Sequence, residues 1–487
     1  MLANIPAASG TQIVVCVALT AIVGIATWLK IRSVKHDGSS KDVFLAGGGL
    51  SWLFVAGSIT LTNLSTDQLV GMNGNQMALL AWWEICGFFG LLILAFVFVP
   101  IYYRNNCTTV TQLLEKRYGG RSIRTLISAL FLFGNILIYL PAALYSGGLF
   151  MQSLFGSTMP ILFFAGILAV ISAAYTIFGG LRAVAVMDTY SGIGILGLAM
   201  LIVVLALAAV NWDLASDVPV ERLTMIGGPD SPIPFHTLFT GMIFIQIFYW
   251  STNQNITQRA MAAPTVKEAQ KGVLVAAAIR ILIVPPIVVI PGIVAYKMFG
   301  DVGDAAYGRL VAEVLPAWLS GAFAAMVAAA VITTFSAVLN SSVALYSVDF
   351  HEQFIGEVKD HWKLAAAVSI LLTITAIMLV PLYQNADSII NLLQQLNGLL
   401  SMPILSAFVA GLLFRNVAAP AAIGGVIWGV LLYGTYTFQL QPAGIITMHY
   451  IDFMVITLVT SVLAALLTNR LLLGNRAEFV LPRRAVA

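Results

Sequence analysis

Charge is scarce in this chain. Of its 487 residues only 9% are Asp, Glu, Lys or Arg, where a water-soluble domain carries roughly 25%. A surface so poor in charge cannot be held in water, which excludes a soluble globular protein. Cysteine is scarcer still. Cys16, Cys86 and Cys107 are odd in number, lie in or beside apolar stretches and have no metal-ligand spacing. That arrangement gives no disulfide framework, and the three read as small apolar residues. The five histidines (His36, His236, His351, His361 and His449) fall at loops or helix ends, again without metal spacing. No convergent catalytic set accompanies them, so the chain is not read as an enzyme. No stretch reads as a soluble domain, a linker or a low-complexity segment.

What fills the space is apolar: 60% of the residues are hydrophobic. Runs of about 20 such residues, each long enough to cross a ~30 Å hydrocarbon core, recur from end to end. The first, from Thr11 to Leu29, has no basic residue before it and no small-residue cleavage site. It reads as a spanning helix rather than a signal peptide. Hydropathy and helix breakers predict thirteen spans, near 11–31, 50–73, 78–103, 122–148, 158–178, 183–210, 236–257, 271–296, 318–345, 363–382, 389–413, 418–438 and 447–472.

The basic residues test that count. Loops after odd-numbered spans hold Arg32, Lys35 and Lys41; Lys116, Arg117 and Arg121; Arg182; Arg259, Lys267 and Lys271; Lys359 and Lys363; and Arg415. The tail adds Arg476, Arg483 and Arg484. The opposite loops hold Arg222, Lys297 and Arg309 amid Asp213, Asp217, Asp301 and Asp304. The alternation follows the positive-inside rule. It places the N-terminus outside and the C-terminus in the cytoplasm of a multi-pass protein of the cell (inner) membrane. With positive charge distributed for topology, the net +3 gives no case for nucleic acid. The expected partners are lipid, an ion and a small solute, and the sequence is silent on oligomeric state.

Polarity inside the spans then needs a reason. Span two runs Gly57-Ser58-Ile59-Thr60-Leu61-Thr62-Asn63-Leu64-Ser65-Thr66-Asp67-Gln68, and span seven runs Gln246-Ile247-Phe248-Tyr249-Trp250-Ser251-Thr252-Asn253-Gln254-Asn255. One or two such residues would be polar glue between packed helices. Two tracts of this length, each opening a similar set of five helices, fit inverted repeats whose first helix is broken at the midplane. The repeats are spans two to six and seven to eleven. The chain then divides into residues 1–49 (first span and cytoplasmic loop), 50–210 (first repeat), 211–415 (second repeat with an outer loop) and 416–487 (two peripheral spans and tail). Span nine adds Thr333-Thr334-Phe335-Ser336 and Asn340-Ser341-Ser342. A single helical hydroxyl caps its own i−4 carbonyl. Adjacent hydroxyls facing an unwound helix instead offer neutral oxygens to a small hard cation. Proton coupling would ask for a carboxylate or histidine there, and the tract has none.

These residues resemble the solute:sodium symporter family, nearest its sodium–galactose (sugar) branch. The likeness runs from Asp42-Val43-Phe44-Leu45-Ala46-Gly47 to about residue 415. It is carried by Asn63-Leu64-Ser65-Thr66-Asp67-Gln68-Leu69-Val70-Gly71-Met72, by Gly179-Gly180-Leu181-Arg182-Ala183-Val184 ending at Asp188, and by Tyr249-Trp250 with Asn253-Gln254, Gln258-Arg259 and Glu268-Ala269-Gln270-Lys271-Gly272. The resemblance implies an all-α membrane protein with a LeuT-like five-plus-five inverted repeat, importing a small hydroxylated solute, foremost a sugar, with Na+ by alternating access. It implies a sodium site from the carbonyls of Leu61, Leu64 and Ala330 and the hydroxyls of Thr333 and Thr334. Thr stands there where members often have Ser. It implies a solute site at Gln68, Glu84, Gln246, Arg280 and Gln394 with Tyr249 as inner lid, and an outer gate at Met72, Trp83 and Ile390. Glu84 in a membrane is costly unless paired, and Arg280 is its natural partner; the alternative role for both is that pairing alone. For the three gate residues the alternative is packing.

Arg280 stands where the sugar transporter has Lys, and Gln246 where it has Asn. The guanidinium fork suits a carboxylate, so an acidic sugar such as a sialate or uronate is the alternative ligand. Family members with a second sodium site use two consecutive hydroxyls and the aspartate opening span six. Here Asp188 and Ser336 are present, but Ala337 follows, which points to one sodium per solute. A channel would need a selectivity ring or an open polar path through several helices, whereas these tracts are short and central.

Overall fold

In lipid a backbone must satisfy its own hydrogen bonds, so an apolar chain of this kind forms helices. The computed structural model describes residues 9–31, 45–386 and 388–480. His36, Arg32, Lys35, Lys41, Arg483, Arg484 and the Asp42-Val43-Phe44 start of the first motif lie outside the described residues. The one sheet among the described residues is a two-residue pair, Phe414–Arg415 antiparallel to Glu478–Phe479.

Among the described residues ten helices are long and apolar enough to cross a membrane, against the thirteen spans expected. The difference lies in three places. Where spans two and seven were expected there are pairs of shorter helices: α2 (Trp52–Asn63) with α3 (Thr66–Gly74), and α9 (Gly241–Ile247) with α10 (Gln254–Met261). Each member is too short to span alone. The third is α8 (Ile161–Ala209), whose two helical halves meet at a kink at Gly180 and correspond to the fifth and sixth expected spans, so that these count as one. Gly180 interrupts α8 with φ 53° and ψ −156°, a backbone conformation that side-chain-bearing residues avoid.

The other long elements are α1 (Gly10–Ile31), α4 (Ala81–Ile93, continuing through a π turn to Arg104), α6 (Arg121–Gly134) joined through a π turn to α7 (Leu140–Phe155), α11 (Val266–Leu282) leading into α12 (Val284–Phe299), α14 (Ala317–Ala344), α15 (His361–Leu379), α16 (Ile389–Leu413), α17 (Ala419–Thr435) and α18 (Tyr450–Leu471). Two shorter helices, α5 (Val110–Tyr118) and α13 (Ala306–Val314), lie between them.

The broken helices sit at the centre. α2 packs on α8 and α11, α3 packs on α7 and α12, and α14 lies against α8 and α7. α16, α17 and α18 pack on one another at one side, and α16 reaches α3. Burial follows this layout. Every residue of α14 from Phe323 to Ala344 is buried, whereas α1 shows Ile13, Val14, Val17, Ile22 and Ile25 at its surface. An apolar side chain loses nothing by facing lipid, so exposure here marks the outer wall.

Candidate functional site

α2 stops because its chain turns out of the helix. Leu64 adopts φ −73° and ψ 59°, and Ser65 is extended before α3 begins. A helix end leaves its last four carbonyls without helical partners. The Leu64 amide takes the Thr60 carbonyl at 2.8 Å, and the Ser65 hydroxyl takes that of Asn63 at 3.3 Å. The Leu61 and Thr62 carbonyls are among the last four of α2, directly before the unwound Leu64 and Ser65. In the second broken helix a π turn, Phe248–Thr252, gives way to an extended Asn253, whose side chain caps α10 by accepting the Asn255 amide at 2.9 Å.

Of the residues proposed for sodium, Leu61, Leu64, Ala330, Thr333 and Thr334 are all buried where α2 meets α14. The Thr333 hydroxyl donates to the Ala330 carbonyl at 3.2 Å. The Thr334 hydroxyl is buried without a hydrogen-bond partner, and Thr334 also lines the central cavity. An orphaned hydroxyl in a dry site is what a cation ligand looks like before the ion arrives.

The central cavity lies between the two breaks. Asn63, Asp67, Gln68, Trp83, Tyr139, Gln246, Tyr249, Trp250, Arg280, Thr334, Ile390, Gln394 and Asn397 contribute to its lining. The cavity thus gathers Gln68, Gln246, Tyr249, Arg280 and Gln394 from four separated stretches of sequence. Glu84 is not in that lining. It is fully buried behind it, accepting the Gln68 amide at 2.7 Å and pairing with the Arg280 guanidinium. Arg280 also lies 4.6 Å from the Trp250 ring centroid. Glu84 therefore holds two lining side chains in place. Gln246 donates to the Trp83 carbonyl at 3.2 Å and accepts the Trp250 indole N–H at 2.9 Å. Tyr249, the expected lid, is tied to the first break, where the Asn63 side-chain amide donates to its hydroxyl at 2.8 Å. Trp83 and Ile390 line the cavity. Met72 is buried in the core beside it.

Asp188 and Ser336 stand on the packed helices α8 and α14; each has a partner of its own, while Asp188 Oδ1 is buried without one. The Asp188 carboxylate accepts the Ser58 hydroxyl at 2.7 Å and lies 3.9 Å from the Arg259 guanidinium. Ser336 donates to the Ser172 carbonyl at 2.9 Å. The residues that sequence reasoning did not single out for the solute are Asp67, Asn63, Tyr139, Trp250 and Asn397. Asp67 and Asn63 had a signal: both stand in the polar tract at the break. Tyr139 and Asn397, hydrogen-bonded to each other across the cavity, had none, because they meet only in three dimensions. No cluster of three His, Cys, Asp or Glu able to hold a metal occurs among the described residues.

Comparison with known proteins adds a name for the arrangement. The family model described as "Sodium:solute symporter family" matches residues 43–429. An uncharacterized symporter of Escherichia coli, YidK, is 34% identical over 455 residues, covering 88% of this chain and 79% of that protein. The sodium/glucose cotransporter of Vibrio parahaemolyticus is 27% identical over 449 residues, covering 83% and 81%. A solved structure of a sodium-coupled sialic acid symporter superposes with a TM-score of 0.81 at 17% identity, covering 97% of this chain and 100% of that one. At that identity the superposition shows the fold alone.

Proposed function

Because the chain belongs to the sodium:solute symporter family and is therefore a sodium-coupled membrane transporter rather than an enzyme, we propose that its solute is small and hydroxylated, a sugar foremost. Import runs by alternating access about the two breaks. The observation that carries this reading is the central cavity, where amides of Gln68, Gln246 and Gln394 meet the Tyr249 ring and the Arg280 guanidinium. Amides exchange hydrogen bonds with hydroxyls, and an aromatic face covers the C–H side of a sugar ring. The similarity to a sodium/glucose cotransporter supports the same substrate class. Sodium is cotransported through the oxygens of Leu61, Leu64, Ala330, Thr333 and Thr334. The buried, unpartnered Arg280 Nη2 favours one second reading, an acidic sugar.

Residues 50–210 and 211–415 act as the two inverted repeats, flanked by residues 1–49 and 416–487. In a bacterial inner membrane the C-terminus faces the cytoplasm; a C-terminal reporter active only outside the cytoplasm would contradict that orientation. The test of function is uptake of labelled sugars into proteoliposomes under an inward sodium gradient. Wild-type protein accumulates a neutral sugar, and Gln394→Ala lowers uptake about tenfold or more, the effect of leaving a buried hydroxyl unmatched. Uptake that ignores sodium, or is unchanged in the variant, would overturn the reading.

A further inference from the structure

The lining of the central cavity contains two charged side chains, Asp67 and Arg280. The Arg280 charge is answered from behind by Glu84. That leaves Asp67 as the carboxyl without a counterion at the cavity wall. Asp67 stands in the first turn of α3, immediately after the break, and the Ser65 hydroxyl donates to its Oδ1. A carboxylate accepts about four hydrogen bonds, so Asp67 has capacity beyond Ser65. Its neighbours in the wall lean the same way. Asn63 Oδ1 and Gln68 Oε1 are buried acceptors without partners. Arg280 Nη2 is the unpartnered charged donor facing them. Buried polar atoms left alone are costly, and a ligand that satisfies this set must bring mostly donors.

Hydroxyl groups bring donors; a carboxylate brings acceptors and a like charge. We propose that Asp67 is the specificity-determining residue of the solute site: with Asn63 and Gln68 it forms an acceptor-rich wall that takes neutral polyhydroxylated solutes and excludes their carboxylate counterparts. This rests on the sugar reading above and narrows it, placing acidic sugars outside the substrate range. Hydroxyl-to-carboxylate hydrogen bonds are about twice as strong as neutral ones, so Asp67 contributes affinity as well as exclusion.

The test uses the full-length protein in proteoliposomes with matched pairs that differ only at C6, D-glucose with D-glucuronate and D-galactose with D-galacturonate. Wild-type uptake of the neutral sugar is insensitive to the acid. Asp67→Asn keeps the shape and removes the charge. It is expected to weaken neutral-sugar affinity about tenfold and to become inhibitable by the acid, while half-saturation by sodium stays where it was. Asp67→Glu, which retains the charge, keeps the exclusion even if its uptake is slower, and so guards against a variant that merely folds poorly. If wild type takes up no neutral sugar of either pair, the sugar reading and this inference fall together. If it does, and Asp67→Asn keeps the wild-type selectivity, the inference alone is overturned. A shift in sodium half-saturation without any shift in selectivity would also overturn it, by making Asp67 an ion ligand.

Discussion

At the scale of single residues, the useful distinction is between side chains that face a ligand and those that hold them. Thr333 and Thr334 are adjacent and chemically identical, yet the fold separates them. Thr333 gives its hydrogen to Ala330, whereas Thr334 has no protein partner and opens on the cavity. Removing the Thr334 hydroxyl breaks no hydrogen bond in the protein but takes away one oxygen from a dehydrated cation. A lost polar partner in a dry site is worth about 1–3 kcal/mol, about a tenfold rise or more in the sodium concentration for half-maximal uptake. Thr334→Ala should show that rise with melting temperature in sodium-free buffer unchanged, and Thr334→Ser should restore the wild-type value. An unaltered sodium response in Thr334→Ala would put the ion elsewhere. Glu84 illustrates the opposite kind of residue. Breaking a buried pair costs about 3–5 kcal/mol, so Glu84 variants report on folding and on the positions of Gln68 and Arg280 together.

At the scale of elements, the breaks were legible and their consequences were not. A run such as Thr60 to Gln68 cannot stay an ordinary lipid-facing helix, because each buried polar group needs a partner. A break at Leu64–Ser65 is the natural solution. The face each side chain takes beyond the break was hidden, since the 3.6-residue period does not carry across an extended residue. Hence Asp67 and Gln68, both beyond the break, line the cavity together with Asn63 from before it. The interruption of α8 was legible: the expected boundary between spans five and six lies at residues 179–182, and the helix is broken at Gly180.

One contact between elements carries its own prediction. Asp304, in the outer segment before α13, caps α16 by accepting the Ile389 amide at 2.9 Å. It packs so closely on Gly74, at the end of α3, that a Cβ there would lie 2.4 Å from Asp304 Oδ1. That oxygen is buried without a partner. Burial pushes the carboxyl up to about 7, partly offset by the Ile389 amide. The packed state therefore holds a proton that the released state does not. Its stability is fully present below the ordinary carboxylate value and is lost as pH rises toward about 7. Hydrogen exchange of residues 300–310 and 388–392, corrected for intrinsic rates, should increase between pH 5.5 and 8 in wild type. In Asp304→Asn that pH dependence should vanish; its persistence would assign the effect to another group.

At the scale of the whole molecule, the ion count follows from how buried charge is balanced across helices. A second sodium would need the Asp188 carboxylate and further hydroxyls beside it. Asp188 already faces Arg259 through Oδ2, both side chains being fully buried, and the same oxygen takes the Ser58 hydroxyl, which leaves Oδ1 alone without a partner. The Ser336 hydroxyl is directed to the Ser172 carbonyl, and Ala337 offers no side-chain oxygen. A cation entering there would compete with a guanidinium for one carboxylate and regain too few oxygens for its lost water. The expectation is one sodium per solute. With a neutral sugar each cycle then moves one net charge, and a membrane potential of ~100 mV adds ~2.3 kcal/mol of driving force. At ~1.4 kcal/mol per decade that is roughly 50-fold accumulation beyond what the sodium gradient alone supports. Reversal potentials in proteoliposomes measure the ratio directly. A charge-to-solute ratio of one, with a sodium Hill coefficient near one, agrees with the Asp188–Arg259 pairing. A ratio of two with a neutral sugar would mean that Arg259 yields Asp188 to a second ion during the cycle.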